Sequence, residues 1–496
     1  MTQTSVPGSA GEAPEARSGL EPFQQAELPP APVPRGLRQW LAAVGPGIIV
    51  LGASLGSGEF LLGPAVVVKH GFTLLWIAGV AIVLQTIFNT ELMRYTLATG
   101  EPVLTGFMRT RPRSSFWAGF YVLLGFLQHG WPAWAATAAG AMFFTGARRL
   151  PGGGDSDAVF LCAVLIYLVC VGILLVGRRV ERTLEILNWV LVSAIMAGLL
   201  ALTLAFAGAG TWGAALAGYV GYDATAGRFL LIPEGADWFL LGAFAAFSGA
   251  GGMGNIALSN WARDKGYGMS QRAGYIPAAM GEKVELAHNG FRFTPTPEAM
   301  ARWRGWWRLV QADQYVVFFL GAILGMMLPA LLYVTFVPAG TDIRGLGVAA
   351  ELASAMAKVK GPVFGGLIAI MAVWVLFKTQ LDLLEAGVRT FTDVLWTGSR
   401  RIRAWRGGDV RRVYYLVLAV SVFWGLLALR LGEPVWLLQI AANVGGLILA
   451  IAASHLLYIN CTLLPPALRP PLWRRLALVT MTVFYGAFFV MWMVKS

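Results

Sequence analysis

Polar residues are scarce along most of this chain, and where they cluster they separate long apolar stretches. Most of the stretches reach the ~20 residues that an α-helix needs to cross the hydrocarbon of a bilayer. The pattern predicts eleven spanning helices, near residues 41–63, 72–98, 116–145, 157–177, 183–208, 236–261, 311–337, 361–387, 412–430, 433–460 and 474–494. Only 13% of residues are charged, against 57% hydrophobic. A soluble domain carries more charge and shorter apolar runs, so the expected class is an all-α integral membrane protein with the lipid bilayer as its partner.

Charge then orients the chain. Most of its 38 Lys and Arg fall in the N-terminal tail and in the connections after the second, fourth, sixth, eighth and tenth runs. By the positive-inside rule these segments are cytosolic, and the expected location is a plasma (inner) membrane with the N-terminus inside. Topology alone accounts for the net charge of +12, and no nucleic-acid partner is implied. The first residues are rich in Pro, Ala, Glu and Gly and lack the basic start and apolar core of a cleaved signal. Residues 1–38 therefore read as a disordered cytosolic tail. Cys162, Cys170 and Cys461 show neither paired nor metal-ligand spacing. Nothing in the sequence specifies an oligomeric state.

Two runs are interrupted from within. GASLGSGEFLLGP, residues 52–64, puts four glycines and a carboxylate where lipid-facing helix is expected. Glycine costs about 1 kcal/mol in a helix interior, and backbone that leaves the helix inside a bilayer survives only where it lines a cavity or packs on protein. The pattern returns in the sixth run: Gly56-Ser57-Gly58-Glu59 is echoed by Gly252-Met253-Gly254-Asn255. Paired breaks in corresponding positions point to an inverted-repeat transporter that holds its substrate near mid-membrane. The bland alternative is two unrelated glycine-rich packing faces. The implied plan is a first five-helix repeat over 39–208 and a second over 236–460, with a cytosolic loop at 262–310 and an extra helix at 474–494.

Residues 45–76, GPGIIVLGASLGSGEFLLGPAVVVKHGFTLLW, resemble the first-helix block of the Nramp family of divalent-metal transporters: Gly-Pro, an apolar run, a break, then Gly-aromatic-x-Leu-Leu-Trp. Weaker similarity continues through ERTLEIL, GAGGMGN and LLQIAANVG, so it covers most of the chain from about residue 40. The resemblance implies a five-plus-five inverted repeat with broken first and sixth helices (APC/LeuT-like), a divalent metal ion as substrate and no cofactor. Gly56 and Glu59 stand where the family has a metal-binding Asp and an Asn. Met253 keeps the family's thioether, whereas Asn255 replaces its His. The Ala250 carbonyl and Gln439 fall on further family ligands. Trp134 and Thr137 occupy positions of proton-relay acids, so flux uncoupled from protons is expected.

Read from the residues themselves, Glu59 is an intramembrane carboxylate and by default a functional candidate. With Met253, Asn255, Gln439 and backbone carbonyls it offers oxygen ligands and one soft sulfur to a cation such as Mn²⁺ or Mg²⁺. Its alternative is a protonated acid bonded to freed backbone. Lys378, Asp382 and Glu385 share one face of the eighth helix; they form either a structural ion pair or a tethered ammonium that replaces a coupling cation. His129 is either a proton relay or a core histidine. No motif of an enzyme is present. Beside a divalent-metal transporter working by alternating access stand two alternatives: an amino-acid or organic-amine transporter of the same fold, and a non-transporting membrane sensor.

Overall fold

The computed structural model describes residues 19–176, 179–279, 281–341, 343, 348–431 and 433–495. Among these residues, nine helices are long and apolar enough to cross a membrane. They are span 1 (Pro46–His70), span 2 (Phe72–Thr99), span 4 (Gly153–Leu175), span 5 (Val180–Phe206), span 7 (Pro297–Phe336), span 8 (Pro362–Gly398), span 9 (Val410–Ala428), span 10 (Pro434–Thr462) and span 11 (Leu472–Lys495). Two further spans are each built from two shorter helices. Span 3 joins Ser114–His129 to Ala133–Ala147, and span 6 joins Trp238–Phe247 to Met253–Lys265.

The interruptions follow from local chemistry. In span 3 the Gly130-Trp131-Pro132 step removes an amide N–H and pushes the chain out of the α region. Two indoles mend it: Trp131 donates to the Leu127 carbonyl at 2.7 Å and Trp424 to that of Gly130 at 2.8 Å. In span 6 Gly249, Gly251 and Gly252 take φ values of 134°, 66° and 98°, which only glycine adopts freely. Span 1 is interrupted in another way. Residues Leu55–Leu62 are π-helical, and the helix continues to His70. The expected break is there, but as a widened turn rather than an unwound one. Pro64 explains the form: its ring cannot sit against the Phe60 carbonyl in a tight α turn, and the Gly63 amide reaches back five residues to Gly58.

Boundaries move where apolar runs were a poor guide. Span 1 begins at Pro46 rather than 41 and ends at His70 rather than 63, because Gly71 at φ 73° closes it. The end of the expected loop at 262–310 is helical: Thr296 caps the Ala299 amide at 3.2 Å, Pro297 opens the helix, and Trp303 and Trp306 are buried. Its polar face hid it from a hydropathy reading. The expected tail at 1–38 divides: residues 1–18 lie outside the described residues, whereas 19–38 are placed. Gln24–Gln25 pairs in parallel with Phe291–Arg292, Leu28 is buried, and Trp306 donates to the Pro29 carbonyl at 3.0 Å.

Call the face where the chain enters span 1 the near face and the opposite one the far face. The near end is tied together by charge. Asp313 of span 7 accepts from the Gly45 and Gly47 amides at 2.8 Å each, where a helix N-terminus favours an anion. Lys265 pairs with Glu185 of span 5 at 2.7 Å and donates to the Val44 carbonyl at 3.2 Å. Between spans 6 and 8, Arg263 pairs with Asp393, Arg389 with Asp264, and the Trp261 indole donates to Glu385 at 2.8 Å.

Removing one partner of a buried pair strands the other at a cost of about 3–5 kcal/mol. Arg263→Ala and Asp393→Ala should therefore each lower the thermal denaturation temperature of the purified protein, and the double variant should lose less than the sum of the two.

Candidate functional site

Gly52 and Gly56 lie one turn apart on span 1 and form the groove into which span 8 packs. A methyl built on Gly52 would strike Lys378 Nζ and Asn188 Oδ1, and one on Gly56 would meet the Thr379 hydroxyl. Small residues at this spacing let helix backbones approach closely in lipid. The approach brings Thr379 between two backbone groups of span 1: its hydroxyl accepts from the Gly56 amide and donates to the Gly52 carbonyl, each at 3.0 Å. Beside it Lys378 pairs with Asp382 at 2.8 Å, both fully buried, and Asn188 of span 5 donates to Asp382 at 3.0 Å. Spans 1, 5 and 8 thus meet around one enclosed ammonium.

Further along the π segment, Gly58 packs on the backbone at Phe247 and Ser248, where the first half of span 6 ends. Ser57 accepts from the Trp134 indole at 2.9 Å. Glu59 has 0% of its surface exposed, and among the described residues neither carboxylate oxygen meets a hydrogen-bond partner of good geometry. The Ser54 hydroxyl is committed to the Leu51 carbonyl at 2.7 Å, and the Glu59 stem lies against Gly325 of span 7. An acid buried in this way is costly unless something satisfies it.

The break in span 6 is satisfied by side chains. Gln85 of span 2 donates to the Ala246 carbonyl at 3.0 Å and accepts from the Gly251 amide at 3.3 Å. Gln128 of span 3 donates to the Gly251 carbonyl and accepts from the Met253 amide at 3.0 Å. Asn255 accepts from Gly252 and donates to Asn89, both at 2.9 Å. Gln85, Gln128 and Asn89 are not among the site residues expected from the sequence. The available signal was the presence of single amide side chains inside apolar spans.

The structure therefore groups the expected site residues in parts. Gly56 and Glu59 share the π segment; Ala250, Met253 and Asn255 share the break. Met253 extends to span 3, its methyl lying over Gly125, while Asn255 spends both ends of its amide on protein partners. Asn255 makes no hydrogen bond to Glu59 among the described residues. Gln439 is farther off, in the wall of a cavity of about 210 Å³ on the far face that also includes Leu61, Leu62, Lys69, Leu240 and Thr341. Leu62 lies one turn from Glu59. Glu385 belongs to the near-face ties, bonded to Trp261 and Arg389. His129 stands beside Gly387, with no hydrogen-bond partner for either ring nitrogen among the described residues. Among the described residues no group of three or more His, Cys, Asp and Glu is placed to hold a metal ion.

No protein-family model matches the sequence, and no curated protein matches it. Similarity appears in three dimensions. A manganese transporter from Eremococcus coleocola, solved with an aromatic bis-isothiourea substituted compound, is 14% identical; the match covers 96% of this chain and 91% of that one at a TM-score of 0.58. A single-residue variant of the same transporter gives 14% identity, 95% and 89% coverage, and a TM-score of 0.59. This chain shares the fold of a manganese transporter. The architecture is accordingly the five-plus-five helical repeat of the APC/LeuT type with an eleventh span appended, and the chain is an integral membrane protein. At this identity the likeness fixes the fold and leaves the site to be argued from its own residues.

The Gly52 contact gives a signed test. Gly52→Ala forces a methyl against Lys378 and Asn188 and should destabilise the protein by about 1–3 kcal/mol through overpacking. Gly172→Ala in span 4, with nothing within 4 Å of the new methyl, should be neutral or stabilising by up to about 1 kcal/mol. Thermal denaturation of the two purified variants checks both signs.

Proposed function

We propose that the protein is a secondary transporter carrying a divalent cation, Mn²⁺, Mg²⁺ or a similar ion, by alternating access, and that Glu59 is the acid that meets it. One observation carries this reading: a fully buried carboxylate with neither oxygen satisfied, set in a widened helical turn one residue from the contact with the span 6 break. A cation is the group that such an acid lacks. The similarity in fold to a manganese transporter supports the same assignment.

The two faces support the mechanism. The far face holds the cavity lined by Leu61 and Leu62, just beyond Glu59 in span 1, and the near face is tied by Lys265–Glu185, Arg263–Asp393 and Arg389–Asp264. In the cycle proposed here, breaking these ties opens the near side as the far side closes. The positive-inside pattern assigns the near face to the cytosol, with the N-terminus inside and the protein in the inner (plasma) membrane. Residues 39–208 and 236–460 supply the two repeats. Lys378, enclosed between spans 1, 5 and 8, supplies from within the charge that a coupling cation brings in other transporters, and flux is then uncoupled from protons.

A second reading has its own observation. With no cluster of three metal-ligating side chains among the described residues, a single carboxylate also suits an organic amine, whose charge needs one acid rather than a cage. Uptake of Mn²⁺, Mg²⁺ and amino-acid or simple amine substrates into proteoliposomes separates the two. For the divalent reading, wild-type protein takes up the metal and Glu59→Gln cuts uptake roughly tenfold or more, as loss of a charged ligand worth about 1.5–3 kcal/mol requires. The internal pH stays flat. Amine uptake without metal uptake would replace the cargo, and metal flux indifferent to Glu59→Gln would remove the site.

A further inference from the structure

In an α-helix the amide of residue 56 bonds to the carbonyl of residue 52. In span 1 those two groups are both present and both engaged, but with the same foreign atom: Thr379 Oγ1 accepts from the Gly56 N–H and donates to the Gly52 C=O. A side chain inserted into the i→i−4 ladder is a recognised cause of helix distortion, and the π-helical stretch begins inside this bracket, at Leu55. Downstream of it lies Glu59. A π segment carries extra residues per turn, so rewinding it as α rotates everything beyond it relative to everything before by roughly 100° for each residue absorbed.

We propose that the Thr379 hydroxyl is a positioning group that sets the rotation of Glu59, and that its withdrawal from between Gly52 and Gly56 lets span 1 rewind and turn Glu59 during the transport cycle. The exchange is close to balanced. When the hydroxyl leaves, the Gly56 amide and Gly52 carbonyl bond to each other. The hydroxyl in turn has the carbonyl of Val375, four residues back on its own helix, which already lies beside Gly56. The Gly56 amide and the Gly52 carbonyl thus have a partner in both forms, as a lipid-enclosed switch requires. Glycine at both positions is what makes the insertion possible, since a methyl on either would meet span 8. The present setting holds the Glu59 stem against Gly325 of span 7; the rewound setting removes it from that contact. Thr379 touches backbone, not cargo, and so acts through Glu59.

The transport half of this inference rests on the function proposed above, and the experiment keeps the two apart. Thr379→Val retains the shape and removes the hydroxyl, Thr379→Ser retains the hydroxyl, and Thr379→Ala stands in should the valine variant not fold. The first readout is the carboxyl infrared band of Glu59 in purified protein, assigned by its disappearance in Glu59→Gln. The second is the KM and maximal rate of Mn²⁺ uptake by proteoliposomes. Removing the hydroxyl is expected to shift the Glu59 band and raise KM roughly fivefold to tenfold, the effect of one hydrogen bond, and Thr379→Ser is expected to restore both. An unshifted band in the valine or alanine variant overturns the proposal, as does a serine variant that behaves like valine. If wild-type protein carries no Mn²⁺, the cargo assignment fails while the infrared arm still decides the role of Thr379.

Discussion

Backbone that departs from the α pattern inside a membrane must find its hydrogen bonds within the protein. That constraint organises this structure. The departures in three spans are met by side chains: Thr379 of span 8 for span 1; Gln85 of span 2 and Gln128 of span 3, with Asn255 of the same span, for span 6; Trp131 of the same span and Trp424 of span 9 for span 3. Since most of these partners come from a neighbouring helix, the irregular segments are also where helices are fastened together. Span 8 illustrates the coupling, as Lys378 and Thr379 enter the Gly52–Gly56 groove side by side and hold span 1 against the rest of the bundle.

Glu59 departs from this economy. Among the described residues its two buried oxygens meet no hydrogen-bond partner, although the irregular backbone beside it is met by side chains, and the partner proposed for them is the cargo. The surroundings give that assignment a direction. A cavity on the far face is lined by Leu61 and Leu62, just beyond the acid in span 1; buried ion pairs close the near face beneath it.

Much of the fold was legible because a bilayer imposes length. Apolar runs of spanning size located the helices, and the Gly-x-Gly echo between Gly56-Ser57-Gly58 and Gly252-Met253-Gly254 marked two of the irregular segments. The echo did not reveal that one would be a π-helical turn and the other an open break. Glycine licenses either, and the choice is made by Pro64 on one side and by positive φ at Gly249, Gly251 and Gly252 on the other. The helix Pro297–Gln311 was hidden because its pattern is amphipathic rather than apolar. Site geometry was the least legible part. Met253 and Asn255 occupy the anticipated segment, yet one reaches for Gly125 and the other caps its own helix. Thr379, Gln85 and Gln128 are single polar residues in apolar sequence, and only the three-dimensional pairing shows which backbone each one serves.

The central claim is that the unmatched acid in the widened turn of span 1 is where the cargo binds. It is tested most directly by locating Mn²⁺ through its anomalous scattering in crystals of the wild-type protein grown with the ion. The account requires a peak in direct contact with the Glu59 carboxylate, between span 1 and the break of span 6. A fully occupied ion bound elsewhere within the membrane-spanning bundle, with Glu59 still packed against Gly325 and touching no ion, would contradict it.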